Sequence, residues 1–319
     1  MNYIILDLEW NQSPNGQNHP RIPFEIIEIG AVKVNEELKL VDTFSELIRP
    51  RIYRQLHYKV KEICNITMND LKKCREFPEV IRDFLDWCGE DMMFCTWGSM
   101  DLTELQRNMH FHKIKRRLAF PLFYEDVQNL FSLAYFEGTN KVSLSDAVEH
   151  LDLKEGEKFH RAVNDAKYTL AVMQKMNFDL YKQYFSIDCY YVPNNRDQEI
   201  YVSFDNCHKY VSRKFRTKEE AAEDSRVREL TCQKCGKKLK PILPWFSDNS
   251  KTYYSVANCP KHGLHSGVIR MKKCENGMFY ATKVTKPISI ISALQIKKKQ
   301  DAIREKRREK RARIDHADA

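Results

Sequence analysis

The sequence of 319 residues predicts an α/β protein, with a mixed β-sheet flanked by helices and a second, smaller domain. Three observations support this fold class. Three strand-like runs open the chain, strand and helix patterns then alternate to about residue 185, and two short cysteine motifs follow residue 229. A chain of this length corresponds to about two domains.

The first region supplies the strands and helices of the sheet domain. Strands are predicted where β-branched and other apolar residues cluster, at 3–10, 24–34, 41–50 and 92–97. Helices are predicted from helical spacing of apolar residues and from capping residues, at 78–88, 101–112, 124–136, 143–151 and 160–176. Strands first, and then alternating strands and helices, indicate a mixed sheet.

The rest of the chain is predicted to form three further segments. The turn residues at 193–195 mark a boundary. A hairpin-like pair of strands follows, and then a helix that begins at the capping box formed by Thr217 and Glu220. We therefore divide the chain into a sheet domain, a connecting hairpin and helix, a small cysteine-containing domain, and a basic tail that is helical or disordered, at 1–186, 187–228, 229–288 and 289–319.

Composition restricts the protein class. Hydrophobic residues make up 42 % of the chain and charged residues 30 %, as in globular proteins, and no apolar run approaches the roughly 18 residues of a membrane span. The opening segment has neither the basic start nor the cleavage site of a signal peptide, so the ten cysteines indicate buried thiols or metal ligands in a cytoplasmic protein. The net charge is +9. The basic tail indicates either a polyanionic partner or a charged segment that only contacts solvent.

Two carboxylates lie unusually close together at the start of the chain. Asp7 and Glu9 are two residues apart in a predicted strand, so both side chains point to the same face. Like charges in that arrangement repel unless a cation lies between them. Further candidates for the same site are Asp101, His160 and Asp165, whereas Glu28 is expected to play a structural role and Glu25 to face solvent.

This combination of residues is suited to phosphodiester hydrolysis. Mg²⁺ and Mn²⁺ prefer oxygen ligands, and two such ions can stabilise the attacking and leaving oxygens of a phosphodiester. A histidine titrates near neutral pH, so His160 could accept the proton of the attacking water.

The ordered motifs resemble those of the DnaQ-like 3′–5′ exonucleases of the DEDDh type. The resemblance covers about residues 1–185 and rests on "LDLEW", "TWGSMD" and "FHRAVND", together with the intervening phrases "FEIIEIGAV" and "LSDAVEHLDL". Those phrases are most similar to the subgroup that includes KapD-like proteins and the exonucleases of small RNAs and histone mRNA. The resemblance implies an RNase H-like fold and removal of nucleoside 5′-monophosphates from 3′ ends.

The resemblance also implies roles for individual residues. Four carboxylates would bind two Mg²⁺ or Mn²⁺ ions, and His160 would be the general base; the carboxylates are Asp7, Glu9, Asp101 and Asp165. Leu8, Trp10 and Asn11 would meet the terminal nucleotide. In the alternative interpretation, a vestigial nuclease domain only binds nucleic acid or acts as a regulatory adaptor.

Two cysteine motifs of equal spacing predict a second metal site. Cys232 and Cys235 are separated by two residues, as are Cys259 and His262, and a glycine follows each pair. Thiolate and imidazole ligands select tetrahedral Zn²⁺, and a closed set of four ligands is structural. We therefore predict one Zn²⁺ in a zinc-ribbon-like domain, with His265 and Cys274 as reserve ligands.

Cations and aromatic residues alternate around these motifs, as expected of a surface for single-stranded nucleic acid. An apolar core beneath the zinc, or a protein-binding surface, would account for some of the same residues. The predicted partner is a single-stranded 3′ end, with RNA favoured over DNA on the subgroup phrases. No membrane partner is expected, and protein partners are not indicated by the sequence.

Overall fold

The computed structural model describes residues 1–64, 66–153, 156, 159–247 and 249–317, with side chains as far as residue 309. It contains two compact units, Met1–Tyr191 and Val192–Ala319. The last two residues of the predicted tail lie outside the described residues. None of the described helices combines the length and apolar character needed to span a membrane.

Within the described residues, the first unit contains a six-stranded mixed sheet in the order β3-β2-β1-β4-β5-β6. The pairs β1/β2, β2/β3 and β5/β6 are antiparallel, whereas β1/β4 and β4/β5 are parallel, which confirms the predicted mixed sheet. The strands are β1 (Asn2–Asn11), β2 (Glu25–Val34), β3 (Leu40–Leu47), β4 (Met92–Thr96), β5 (Phe123–Asp126) and β6 (Ser186–Ile187).

Helices connect these strands and cover the sheet. They are α1 (Tyr58–Ile63), α2 (Met68–Lys72), α3 (Phe77–Cys88), α4 (Met100–Phe111), α5 (Val127–Phe136), α6 (Leu144–His150), α7 (Ala162–Lys175) and α8 (Phe178–Tyr181).

The alternation of side chains along β1 decides where its acids lie. Ile4, Leu6 and Leu8 enter a core cluster with α3 and α4. Tyr3 and Ile5 enter the opposite cluster with α5 and α7. Because odd-numbered residues share one face of the strand, Asp7 and Glu9 continue the face on which α7 lies.

Helix α7 approaches β2 closely at Gly30. An ideal Cβ at this position would lie less than 3.0 Å from backbone atoms of Ala162 and Val163, so only glycine leaves room for the start of α7. Gly30 is also the register partner of Asp7 in the β1/β2 pair. The missing side chain therefore lets the first turn of α7 reach the acidic part of β1.

One predicted helix begins later than expected. Residues 124–136 have an apolar pattern that predicts a single helix, but Tyr124 and Glu125 pair with Phe94 and Cys95 in the sheet. The helix starts only after Asp126, whose side chain accepts a hydrogen bond from the backbone N–H of Asn129 at 2.9 Å.

The second unit is built on an antiparallel sheet of six described strands, in the order β11-β12-β13-β14-β8-β7, with a separate two-stranded pair β9/β10. The elements are β7 (Ile200–Ser203), β8 (His208–Val211), α9 (Lys218–Glu223), α10 (Ser225–Arg228), β9 (Leu230–Thr231), β10 (Lys238–Leu239), β11 (Pro241–Ser247), β12 (Thr252–Cys259), β13 (Gly263–Lys273), β14 (Phe279–Pro287) and α11 (Ile290–Ala317).

The helix predicted to begin at Thr217 is divided in two at Asp224. Thr217 accepts a hydrogen bond from the Glu220 N–H at 3.1 Å, as predicted, but the Glu220 side chain accepts from the N–H of Arg216. Asp224 then accepts the N–H groups of the next turn and starts α10. Its short side chain competes with the helical backbone bonds, which explains the break.

The hairpin β7/β8, predicted within a connecting segment, pairs with β14 and so extends the sheet of the second unit. The predicted tail forms the long helix α11, which contacts β12 and β13. Lys299 in this helix donates to the Tyr254 hydroxyl at 2.8 Å. The four-part division of the chain stays a prediction.

We expect Gly30→Ala to destabilise the protein by about 3 kcal/mol, because the added methyl group must displace the start of α7. Thermal unfolding of the full chain measures this effect. Gly156→Ala is the matched control, since a Cβ there meets no atom within 4 Å. Equal unfolding of the two variants would contradict the close approach at Gly30.

Candidate functional site

The predicted catalytic residues converge from three elements of the first unit. Ligand atoms of Glu9 in β1, His160 just before α7, and Asp165 in the first turn of α7 all lie within 4.8 Å of one another. Asp101, in the first turn of α4, accepts a hydrogen bond from the Leu8 N–H at 3.2 Å and so lies against β1.

The N-termini of two helices stabilise the ionised form of two of these carboxylates. Asp101 and Asp165 both lie in the first turn of a helix, where unpaired N–H groups and the helix dipole stabilise negative charge. Asp165 Oδ2 accepts the backbone N–H of His160 at 3.1 Å, whereas its Oδ1 is buried and has no hydrogen-bond partner among the described residues. A buried carboxylate oxygen in that position is suited to binding a cation.

Crowding of carboxylates in a desolvated site opposes their ionisation. Burial raises the pKa of Glu9 and of Asp101 to about 7, and that of Asp165 to about 6. Burial, together with the charges of Asp101 and Asp165, also raises the pKa of Asp7 well above its usual range. The cluster is therefore electrostatically unfavourable at neutral pH unless a positive charge compensates it.

His160 is held in an unusual backbone conformation. Its φ of 65° lies in the left-handed region, which a residue with a side chain rarely adopts. The N–H bond to Asp165 and the stacked rings of Phe159 and Tyr168, 4.4 Å apart, fix the chain on either side of it. Desolvation lowers the pKa of His160, so the imidazole is neutral at pH 7 and can accept a proton.

Two neighbours of the site were not identified from the sequence. Arg161 binds Glu28 through two nitrogens at 2.9–3.2 Å, and Glu28 is the register partner of Glu9. The guanidinium compensates the buried Glu28, which accords with its expected structural role. Cys64 donates its thiol hydrogen to Glu9 Oε2 at 3.2 Å. The sequence signals that Arg161 lies near the site, because it directly follows the candidate residue His160.

The residues expected to meet the terminal nucleotide are largely covered. Asn11 is fully buried; its Nδ2 donates to the carbonyls of Tyr53 and Gln55, and its Oδ1 accepts from the His57 N–H. Leu8 is buried in the core, whereas Trp10 is partly buried and packs near Phe24. Asn11 therefore braces the loop after β3, and substrate contact by these residues stays a prediction.

Glu25 does not face solvent, contrary to expectation. It is 2 % exposed and accepts backbone N–H groups of Arg51, Ile52 and Tyr53 at 2.6–3.1 Å. The Glu25 carboxylate supplies hydrogen-bond acceptors for backbone N–H groups that no helix or strand partner satisfies in that loop. Local sequence patterns do not reveal this contact, because Glu25 and Arg51 are 26 positions apart in the chain.

In the second unit, four cysteine and histidine side chains form a separate cluster. Ligand atoms of Cys232, Cys235, Cys259 and His262 lie within 4.8 Å of one another. The Sγ atoms of Cys235 and Cys259 are 3.8 Å apart, and His262 Nδ1 lies 3.3 and 3.6 Å from the Sγ atoms of Cys232 and Cys259. A tetrahedral ion with bonds of ~2.3 Å to sulfur requires sulfur–sulfur distances of about 3.8 Å.

Backbone geometry supports this cluster and the choice of ligands. Gly236 and Gly263, which follow the two motifs, have φ values of 67° and 78° that favour glycine. Burial acts to raise the pKa of the Cys259 thiol, but hydrogen bonds from backbone N–H groups and from Cys232 and His262 lower it to about 6. The reserve candidates His265 and Cys274 lie outside this group; Nε2 of His265 accepts the Gln233 N–H at 3.4 Å.

Comparison with known proteins identifies the family of the first unit. Residues 4–173 match the RNase_T family model, described as "Exonuclease". The chain is 30% identical over 186 residues to the probable 3′-5′ exonuclease KapD of Bacillus subtilis, covering 57% of this chain and 86% of KapD. It is 28% identical over 185 residues to the PolC-type DNA polymerase III of Clostridium perfringens, covering 58% of this chain but only 12% of the polymerase.

More distant relatives agree with this assignment. The human 3′-5′ exoribonuclease 1 is 24% identical over 170 residues, which cover 50% of this chain and 48% of the human protein. The nuclease domain of 3′hExo, a DEDDh family member solved with bound rAMP, superposes with a TM-score of 0.50 at 22% identity, covering 59% of this chain and 96% of that domain. This likeness confirms the RNase H-like fold. Since the family model spans more than half of the 319 residues, the chain belongs to the exonuclease family.

Proposed function

We propose that the protein is a metal-dependent 3′–5′ exonuclease that hydrolyses phosphodiester bonds at 3′ ends and releases nucleoside 5′-monophosphates. The observation that carries the proposal is the meeting of Glu9, Asp165 and the neutral His160 within 4.8 Å in an exonuclease-family fold. Asp7 and Asp101 extend the same cluster through their electrostatic coupling to it.

Four carboxylates would hold the two divalent cations, Mg²⁺ or Mn²⁺: Asp7, Glu9, Asp101 and Asp165. The buried Oδ1 of Asp165, which has no hydrogen-bond partner among the described residues, supports this assignment. The raised pKa values of Asp7 and Glu9 support it too, because a bound cation would favour the ionised form that burial disfavours. When bound, the ions would supply charge stabilisation for the phosphate oxygens in the transition state.

His160 would act as the general base. Its ring is exposed, its pKa is lowered, and its backbone is fixed by Asp165, so the imidazole can accept a proton from a water beside the scissile phosphate. Arg161 and Glu28 would position the loop that carries His160.

RNA is the favoured substrate. Support comes from the resemblance to the RNA-trimming subgroup and from the exoribonuclease name of the human relative. A cytoplasmic location accords with a chain whose ten cysteines form no disulfide, since cysteines in oxidising compartments are commonly paired.

For the second unit we propose one structural Zn²⁺ held by Cys232, Cys235, Cys259 and His262. Three thiolates and one imidazole leave no open position for substrate, so the ion would stabilise the unit. The unit and its basic helix α11 would hold nucleic acid upstream of the 3′ end.

We expect metal-free protein to lose at least about 2 kcal/mol of stability between pH 5 and pH 8. The folded state keeps protons on Glu9, Asp101 and Asp165 that the unfolded chain releases near pH 4, so this contribution is present at low pH and lost as the pH rises through about 7. Mn²⁺ should restore stability at pH 8. Unfolding in EDTA and in Mn²⁺ measures both effects.

Asp7→Asn should flatten this pH dependence, because it removes a buried acid whose own pKa is raised well above its usual range. Glu37→Gln, which changes an exposed acid outside the cluster, should keep it. The same pH dependence in wild type and Asp7→Asn would contradict the electrostatic coupling.

Asp165→Ala should reduce kcat by at least about 10³-fold, and His160→Ala by about 10²- to 10⁴-fold. The assay is release of mononucleotides from 3′-labelled single-stranded RNA and DNA with Mg²⁺ or Mn²⁺. Asp179→Ala serves as control, since Asp179 is an exposed acid that pairs with Lys182. More than a tenth of wild-type activity in Asp165→Ala would refute the assignment.

The purified protein should contain about one zinc ion that resists mild EDTA, and Cys235→Ser should lose it. Elemental analysis measures the zinc content, and cleavage of a dinucleotide should remain near wild type because the two clusters lie in separate units. Cys207→Ser is the matched control in the same unit. Absence of zinc from protein purified without chelator would end this interpretation.

A further inference from the structure

A cationic cavity lies in the first unit, apart from the carboxylate cluster. It has a volume of about 450 Å³ and lies between the loop after β3, the start of α3 and the end of α4. We call it the cationic pocket, defined by Arg51, Arg54, Phe111, His112 and Lys113.

Cations without acidic partners give the pocket its charge. Among the described residues, Arg54 and Lys113 have no carboxylate oxygen within 4.0 Å. Arg51 lies 3.6 Å from Glu76, an acid that Arg49 also contacts at 2.8 Å. The pocket therefore keeps a positive charge available for an anion.

Aromatic rings form the other wall. His112 packs against Phe77 and Phe111, with ring centroids 5.2 Å apart in each pair. Arg21, which does not line the pocket itself, lies 5.7 Å from the centroid of the Phe111 ring. Cations beside aromatic rings suit a nucleotide, since phosphates pair with the cations and bases stack on rings.

The position of the pocket relates it to the catalytic cluster. Asp101 and Phe111 lie in the first and last turns of α4, about 15 Å apart along the helix axis. A neighbouring cavity of about 440 Å³ shares Arg54 with the pocket and is also lined by Lys61 and Ile66. Ile66 packs in one core cluster with Cys64, whose thiol contacts Glu9. The two cavities therefore adjoin at Arg54, and the neighbouring cavity borders the apolar cluster that contains Cys64.

Buried contacts fix the loop that carries two of the cations. Glu25 accepts the N–H groups of 51–53, and Asn11 bonds both the carbonyl of Gln55 and the N–H of His57. The backbone that carries Arg51 and Arg54 is thus already fixed, so binding of a ligand costs little conformational entropy of the loop.

We infer that the cationic pocket binds a nucleotide of the substrate strand, upstream of the residues at the catalytic cluster. The inference rests on the proposed exonuclease function, and it adds a site that governs affinity for long single strands. The terminal nucleotides reach only the catalytic cluster, so a dinucleotide gains nothing from the pocket.

The test compares full-length wild type with Arg54→Gln/Lys113→Gln on a dinucleotide and on a single-stranded decamer. For the decamer, KM should rise about tenfold and the slope of log affinity against log salt should flatten by about 1.4, since each phosphate contact contributes roughly 0.7. Activity on the dinucleotide should not change. Phe111→Ala should weaken decamer binding by about 5- to 150-fold through lost stacking.

Lys175→Gln is the matched control, because Lys175 is an exposed cation in the last turn of α7, as far along its helix from Asp165 as Phe111 is from Asp101. Decamer binding is also measured in EDTA, which separates this inference from the proposed function. A wild type that cleaves neither substrate would refute the proposed function while leaving the binding result intact.

Unchanged decamer binding and salt slope in Arg54→Gln/Lys113→Gln would overturn the inference. Arg54-dependent binding of a nucleoside 5′-monophosphate with no advantage for the decamer would assign the pocket to a free nucleotide, and would overturn it too. Circular dichroism confirms that each variant is folded.

Discussion

The close approach of helix α7 to the sheet at Gly30 is the constraint on which the candidate active site depends. It is permitted by the absence of one side chain in β2, opposite Asp7. The approach brings Asp165 and the preceding His160 to the acids of β1. Any larger residue at position 30 would separate the two groups, however well the remaining core packed.

Electrostatic repulsion among the carboxylates destabilises this arrangement, and other interactions in the first unit compensate for it. Carboxylates gather in a partly desolvated site, where their pKa values rise. Apolar clusters on both faces of the sheet supply the stability that holds them there. Two helix N-termini and the pair formed by Arg161 and Glu28 reduce the remaining repulsion. Divalent cations would complete the compensation.

The two clusters of ligand side chains differ in chemistry and are held differently. The candidate catalytic acids come from elements distant in sequence and depend on the packing of α4 and α7 against β1. The cysteine cluster is formed by two turns, each of which is closed locally by its own backbone and a glycine. Oxygen ligands that a long-range fold brings together suit exchangeable hard ions, whereas thiolates in tight turns suit a permanent zinc ion.

The sequence by itself determined the mixed α/β sheet, the family resemblance and the identities of the candidate ligands, because these depend on periodicity, residue type and spacing. Only the tertiary structure decided that Glu25 is buried beneath the loop at 51–53, that Asn11 braces the same loop, and that Cys64 contacts Glu9. It also brought Arg51 and Arg54 beside Phe111 in one pocket. These contacts join residues 26 to 60 positions apart in the chain, and no local pattern encodes them because packing of the whole unit sets which side chains meet.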